Sequence, residues 1–102
     1  MNKSAKYFYL LTLVVCFNTA FGQAGSVSGQ VTDVDGNPLI GANLLVEGTN
    51  LGSATDEEGI YTINRVPEGQ QTIIANYIGY ASSSQTINVS GNTTVDFALE
   101  RS

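Results

Sequence analysis

The sequence predicts an all-β sandwich of about seven strands, following an export signal that does not join the fold. Three observations carry this. The chain after residue 22 shows period-two alternation in run after run. Gly, Asp, Asn and Pro separate these runs at intervals suited to tight turns. No window there shows an apolar i, i+3, i+4, i+7 stripe, so no helix is expected in the exported part.

Lys3 and Lys6 precede the apolar run "YFYLLTLVVCF", Tyr7 to Phe17, and the small residues of "NTAFGQAG" follow. This is the layout of a signal peptide, expected to be helical over residues 1–22. The run is too short for a bilayer span, which takes about 20 apolar residues. Cleavage after Gly22 puts Ala20 at the minus-three position, and cleavage after Ala24 puts Gly22 there, so both sites stay open. A membrane-anchoring helix fits the charge layout less well. A lipoprotein signal at Cys16 is disfavoured by Val15, which is not small.

Removing the leader takes away both lysines and the only cysteine. The domain, residues 23–102, keeps Arg65 and Arg101 against nine acids, a net charge of 2 − 9 = −7. That charge excludes nucleic acid and anionic lipid as partners, since both require basic patches. Without a disulfide, a small domain of this size depends on its core alone, burying only about 60% of its unfolded surface.

The runs follow in order. "SVSGQVTD" alternates Val27, Gly29 and Val31 with polar residues, and "GANLLVEG" places Ala42, Leu44 and Val46 on one face. "GIYTINRV" sets Tyr61 and Ile63 opposite Ile60 and Thr62. "QQTIIANYIGY" carries Ile73, Ile74 and Tyr77, and "SQTINV" carries Ile87 and Val89. "TTVDFALE" alternates Val95, Phe97 and Leu99 with Thr94 and Asp96. The expected core is Val31, Leu44, Val46, Ile63, Ile73, Ala75, Ile87, Val95, Phe97 and Leu99, each worth roughly 1.5–3 kcal/mol of transfer free energy before entropy is subtracted. "DVDGNP", "EGTNLGS", "DEEG", "VPEG" and "SGN" are the turns.

Catalysis finds little support in the composition. The domain has no His, Cys or Lys, and none of its serines has a candidate base. No phosphate-binding glycine loop occurs, and zinc lacks its usual ligands. Two acidic stretches resemble calcium loops. "DVDGN", Asp33 to Asn37, has its glycine too early, and the three consecutive acids of "TDEEG" point in different directions. Turns are the preferred reading of both. A carboxylate pair for glycoside cleavage lacks a cleft at this length. Tyr61, Tyr77 and Tyr80 offer an aromatic platform for a sugar or peptide. Packing at strand edges with hydroxyls in water is preferred. The sequons at Asn88 and Asn92 matter only in a glycosylating host.

Between Gly29 and Tyr80 these pieces combine into G-x-V-x-D-x-x-G-x-P-L-x-G-A, V-x-G-T-x-x-G-x-x-T-D-x-x-G-x-Y, P-x-G and Y-x-G-Y. This resembles the carboxypeptidase regulatory-like domain, and "TINVSGNTTVDFALE" continues the likeness. The resemblance implies a seven-stranded Greek-key sandwich of the transthyretin (prealbumin) type with no catalysis and no cofactor. Its signature positions in this chain are Asp33, Gly36, Pro38, Gly41, Gly48, Thr49, Gly52, Thr55, Asp56, Gly59, Pro67, Gly69 and Gly79. Within the family the chain looks most like the N-terminal extension of TonB-dependent outer-membrane receptors, including SusC-like glycan importers. That implies export to the periplasm or outer membrane of a Gram-negative bacterium. The implied partner is a protein, either the rest of a receptor or a periplasmic or TonB-system component, with glycan as a further ligand. Membrane association would come only through a barrel that these residues lack. A free-standing secreted or surface sandwich and an accessory domain of a metallocarboxypeptidase are the alternatives.

Overall fold

The computed structural model describes residues 24–102, which contain eight strands and no helix. The expected signal peptide and its helix, over residues 1–22, lie outside the described residues. The strands are β1 (Ala24–Asp33), β2 (Asn43–Val46), β3 (Gly52–Ala54), β4 (Ile60–Pro67), β5 (Gly69–Asn76), β6 (Ser83–Val89), β7 (Asn92–Thr94) and β8 (Phe97–Leu99). They form two sheets. One has the order β3-β2-β5-β6, and the other places β1 between β4 and the β7/β8 pair. The chain crosses between sheets after β1, β3, β4 and β6. Each sheet thereby turns one apolar face to the other.

Register decides which residues are inside. In β1, Val27 and Val31 are fully buried, with Gly29 on the same face between them. Leu44 and Val46 of β2 and Ile73 and Ala75 of β5 meet them from the other sheet. Of the expected core, only Ile87 departs: on the edge strand β6 it is partly buried against the core.

The core also takes residues absent from the expected set: Val27, Leu39, Ala42, Tyr61, Val66 and Val89. Val66 has a specific cause. Between Val27↔Ile63 and Gly25↔Val66 the register shifts by one residue, and Arg65 sits there at φ 62°. The bulge resets the strand's parity, so Ile63 and Val66 both face inward.

The structure has eight strands against the expected seven, because the six alternating runs of the sequence gain a strand at each of two places. "EGTNLGS" is not wholly a turn, since its Gly52 begins β3, which pairs with β2. The hairpin closes when Thr49 Oγ1 donates to the Val46 carbonyl (2.8 Å) and accepts from the Leu51 amide (3.0 Å). The last run, "TTVDFALE", is broken in two. β7 and β8 both run parallel to β1 with the same offset of 66 residues, so one register continues through the gap at Val95–Asp96.

The gap has a physical reason. Val95 still donates its amide to the Ser28 carbonyl (2.8 Å). Its own carbonyl turns inward and accepts a hydrogen bond from the Tyr61 hydroxyl (2.5 Å). Where the next ladder bond belongs, the Asp96 carboxylate accepts the Gln30 amide instead (2.8 Å). The Asp96 carbonyl accepts from Gln85 Nε2 (2.6 Å), tying β6 to the break. The turned-in carbonyl fills the place of a side chain at position 29, so a Cβ there would collide with it. Tyr61 stands directly across from Gly29 in the β1–β4 pairing. It is only 2% exposed, which corrects the expectation of a wet hydroxyl at a strand edge.

Burial, and next the Asp96 charge, push the Tyr61 phenol well above its ordinary value of 10.0. The folded state therefore holds the Tyr61 proton more tightly than the unfolded chain. Its contribution to stability is complete below pH 10 and declines as pH rises above it. Tyr61→Phe leaves a buried carbonyl unpaired and should cost about 1–3 kcal/mol in denaturant unfolding, and it should remove that part of the alkaline decline. Gly29→Ala must displace the Val95 backbone, and a loss above about 3 kcal/mol is expected.

Candidate interaction surface

The signature residues fall into two groups, one at each end of the sandwich. Asp33, Gly36, Pro38, Gly41, Thr55, Asp56 and Gly59 gather where β1 ends and β4 begins. Gly79 joins them, because Asn43 pairs with Asn76 and the β5–β6 turn emerges at the same end. Gly48, Thr49 and Gly52 belong to the β2–β3 hairpin. Pro67 and Gly69 lie toward the opposite end, beside Ala24 and Val89.

At the first end the two acidic stretches are copies of one loop. Asp33 Oδ1 accepts the amides of Asp35 and Asn37, both at 2.9 Å. Asp56 Oδ1 accepts the amides of Glu58 (2.9 Å) and Ile60 (3.0 Å). In each loop the glycine amide donates to the aspartate carbonyl, and the aspartate amide donates to the carbonyl four residues on. This self-capping is the reason Asp opens such turns. Each glycine has positive φ: 91° at Gly36 and 76° at Gly59. At Gly59 a second constraint applies, since a Cβ would press on the Val31 carbonyl and Pro38.

Thr55 locks the loops to the core. It is the one buried polar residue among the described residues. Its hydroxyl donates to the Leu39 carbonyl and accepts from the Ala42 amide (2.9 Å), while its own amide donates to the Ala42 carbonyl (2.9 Å). Leu39 and Ala42 are thereby held in the core, although they lie outside any strand.

This arrangement leaves the two aspartates little for chemistry. Both use an oxygen on their own loop, and no cluster of three potential metal ligands occurs among the described residues. Amide donors, the Asn37 backbone first, hold the Asp33 carboxyl below its ordinary range. Glu57 and Glu58 are exposed.

The Y-x-G-Y turn gathers two of the three tyrosines. The Tyr77 and Tyr80 rings lie 5.5 Å apart at 54°, and the Arg101 guanidinium sits 5.9 Å from the Tyr80 centroid. Tyr61, in the core, takes no part, so the three tyrosines do not form one platform. Ile78 at the tip is 95% exposed. A shallow recess of about 220 Å³ lies nearby, lined by Ala81, Ser82, Ser83, Ala98, Leu99 and Glu100. Sequence reading missed the Gly29–Tyr61–Val95–Asp96 node. The available signal was a glycine between two inward valines, one strand away from an inward tyrosine.

Thr55→Val should cost about 2–4 kcal/mol, from two buried backbone groups left unpaired, and Asp56→Ala about 1–2 kcal/mol. The double change Glu57→Gln, Glu58→Gln should stay within about 0.5 kcal/mol. Calcium chelation should leave the melting temperature unchanged, and a large drop would revive a metal role for these loops.

Comparison with known proteins agrees with this fold. The CarboxypepD_reg-like domain model matches residues 27–102. A TonB-dependent receptor of Formosa agariphila is 33% identical over 94 residues, covering 91% of this chain and 9% of the receptor. TonB-dependent receptor SusC of Bacteroides thetaiotaomicron is 41% identical over 61 residues, covering 60% of this chain and 6% of the receptor. Structural protein 27 of a virus (isolate Australia/Victoria) is 39% identical over 80 residues, covering 78% of this chain and 15% of that protein. The chain thus spans a small fraction of each relative's length. Among solved structures, a type II cohesin–X-dockerin complex from Acetivibrio cellulolyticus superposes with a TM-score of 0.63 at 20% identity, over 72% of this chain and 52% of that one. A 3-chlorocatechol 1,2-dioxygenase from Rhodococcus opacus gives 0.63 at 15% identity, over 80% and 61%, a likeness of fold alone. With its motifs, its sandwich and three quarters of its length matched, the chain belongs to the CarboxypepD_reg-like domain family.

Proposed function

We propose that this chain is an exported, non-catalytic docking module, the periplasmic sandwich of a TonB-dependent outer-membrane receptor for nutrient or glycan uptake. The observation that carries the reading is the receptor match across 91% of the chain. The chemistry agrees with it. Asp33 and Asp56 hold turns. The buried hydroxyls of Thr55 and Tyr61 serve backbone carbonyls. The first and last described strands also suit a module set in line within a longer protein, since Ala24 and Leu99 lie at opposite ends of the sandwich.

A second reading is a sandwich displayed at a surface outside any receptor. The likeness to a viral structural protein over 78% of the chain favours it.

Fractionation of the source cell, probed with an antibody raised against residues 24–102, separates the two. Signal in the outer membrane on a species of receptor size is the expected result. A small species in the medium would support the second reading and overturn the first. The purified chain should hydrolyse no peptide substrate with or without zinc. Activity that follows the protein through repurification would contradict the non-enzymatic role.

A further inference from the structure

Five large apolar side chains are exposed among the described residues, and four of them stand at the first end of the sandwich. Val34 (62% exposed) is in the Asp33 loop and Ile40 (55%) follows Leu39. Ile60 (41%) opens β4, and Ile78 (95%) tips the Y-x-G-Y turn. The fifth, Leu45, lies on the outer face of β2. Single exposed aliphatics are ordinary, but four on adjoining segments at one end are not.

Backbone contacts make these segments neighbours around the end. The Gly41 amide donates to the Thr55 carbonyl (3.1 Å), joining the Ile40 loop to the Asp56 loop. The Asp56 amide donates to the Ile60 carbonyl (2.9 Å), and the Val31 amide to the Gly59 carbonyl (2.8 Å), which leads to β1 and Val34. Asp33 pairs with Leu99, and the Glu100 carbonyl accepts the Ala81 amide (2.8 Å), which leads to Ile78. Asn76 pairs with Asn43, and the circuit returns to Ile40. None of the four aliphatics belongs to the core cluster, so folding does not account for them.

Acids border this end. Asp35 stands beside Val34, and Glu57 and Glu58 precede Ile60, all exposed. Unlike Asp33 and Asp56, their carboxylates make no hydrogen bond among the described residues. Ser102 also stands here, its amide donating to the Gly79 carbonyl (3.1 Å) beside Ile78. With a leader expected at the front, the remainder of a receptor has its place after residue 102. The match covers only 9% of the receptor from Formosa agariphila, so that remainder is large.

We propose that this end docks onto the part of the same receptor that follows residue 102, at a surface with an apolar recess for Val34, Ile40 and Ile78 and with Lys or Arg on its rim. Burial of the aliphatics supplies the affinity, and the acids supply orientation. The covalent tether beside Ile78 keeps the partner at high local concentration, so a small patch is enough. A second copy of this chain brings the same acids, and an anionic lipid surface is repelled by them. The proposal rests on the receptor reading and deepens it by naming the docking face.

The test places the photo-crosslinker benzoylphenylalanine at Val34 or Ile78 of the full-length receptor in its own cell, with Asn50 and Ser90, away from this end, as controls. Crosslinks from positions 34 and 78 are expected, mapped by mass spectrometry to receptor residues beyond 102 in a segment that carries Lys or Arg. The controls should give none. Ile40→Ser, and the pair Glu57→Lys with Glu58→Lys, should each lower the yield about tenfold at an unchanged receptor level. Equal crosslinking from the controls, crosslinks to a second copy, to lipid or to a different protein, no crosslink at all, or a yield indifferent to charge reversal would each overturn the proposal. If fractionation finds a receptor-size species while the crosslinks lie elsewhere, this proposal alone fails. A small species in the medium removes the receptor reading and this proposal with it.

Discussion

The hydrogen bond from the Tyr61 hydroxyl to the Val95 carbonyl is the contact on which the rest of the sandwich depends. It requires a carbonyl that leaves its own strand and turns inward, and it requires a glycine at position 29 to receive that carbonyl. The last strand must then break, and β7 and β8 are the result. The break does not strand polar groups, because the Asp96 carboxylate replaces the missing acceptor for Gln30 and the Asp96 carbonyl holds Gln85 from β6. One tyrosine thereby joins β4, the β7–β8 break and, through Asp96, the edge of the other sheet. A small domain without a disulfide gains fixed geometry from such a node, where apolar packing alone is permissive.

The first end of the sandwich follows the same logic with different residues. Two Asp-x-x-Gly loops each satisfy their own amides, and Thr55 fixes Leu39 and Ala42 beneath them. The acids that look most like catalytic or metal-binding groups are committed to backbone donors. What the folding contacts leave exposed is surface, including Ile78 at the tip of the Y-x-G-Y turn.

Much of the fold was legible in the sequence because alternation records burial directly. Val31, Leu44, Val46, Ile73 and Ala75 sit where parity puts them. Parity failed at Val66, because the bulge at Arg65 adds a residue that no composition rule marks. Leu39 was missed since it is buried by a clamp from Thr55 and not by a strand, whereas Ala42 lies on the face that parity shares with Leu44 and Val46. Tyr61 was misjudged because an amphipathic ring suits either an edge or a core, and the deciding partner, the Val95 carbonyl, lies 34 residues away. Gly52 reads as a turn residue wherever it stands, although here it opens β3. Gly29 carried the strongest unread signal: its reason is a close approach by a distant segment, and local sequence does not record that.

The break at Val95–Asp96 is a lock and not a weak point. Residue-resolved hydrogen exchange under native conditions tests it most directly. If the break is a lock, the amides of Val95 and Gln30 exchange only by global unfolding, with protection equal to that of Ile73 and Ala75 in the middle of β5. Exchange of Val95 and Gln30 through a lower-energy local opening, while β5 stays protected, would contradict it.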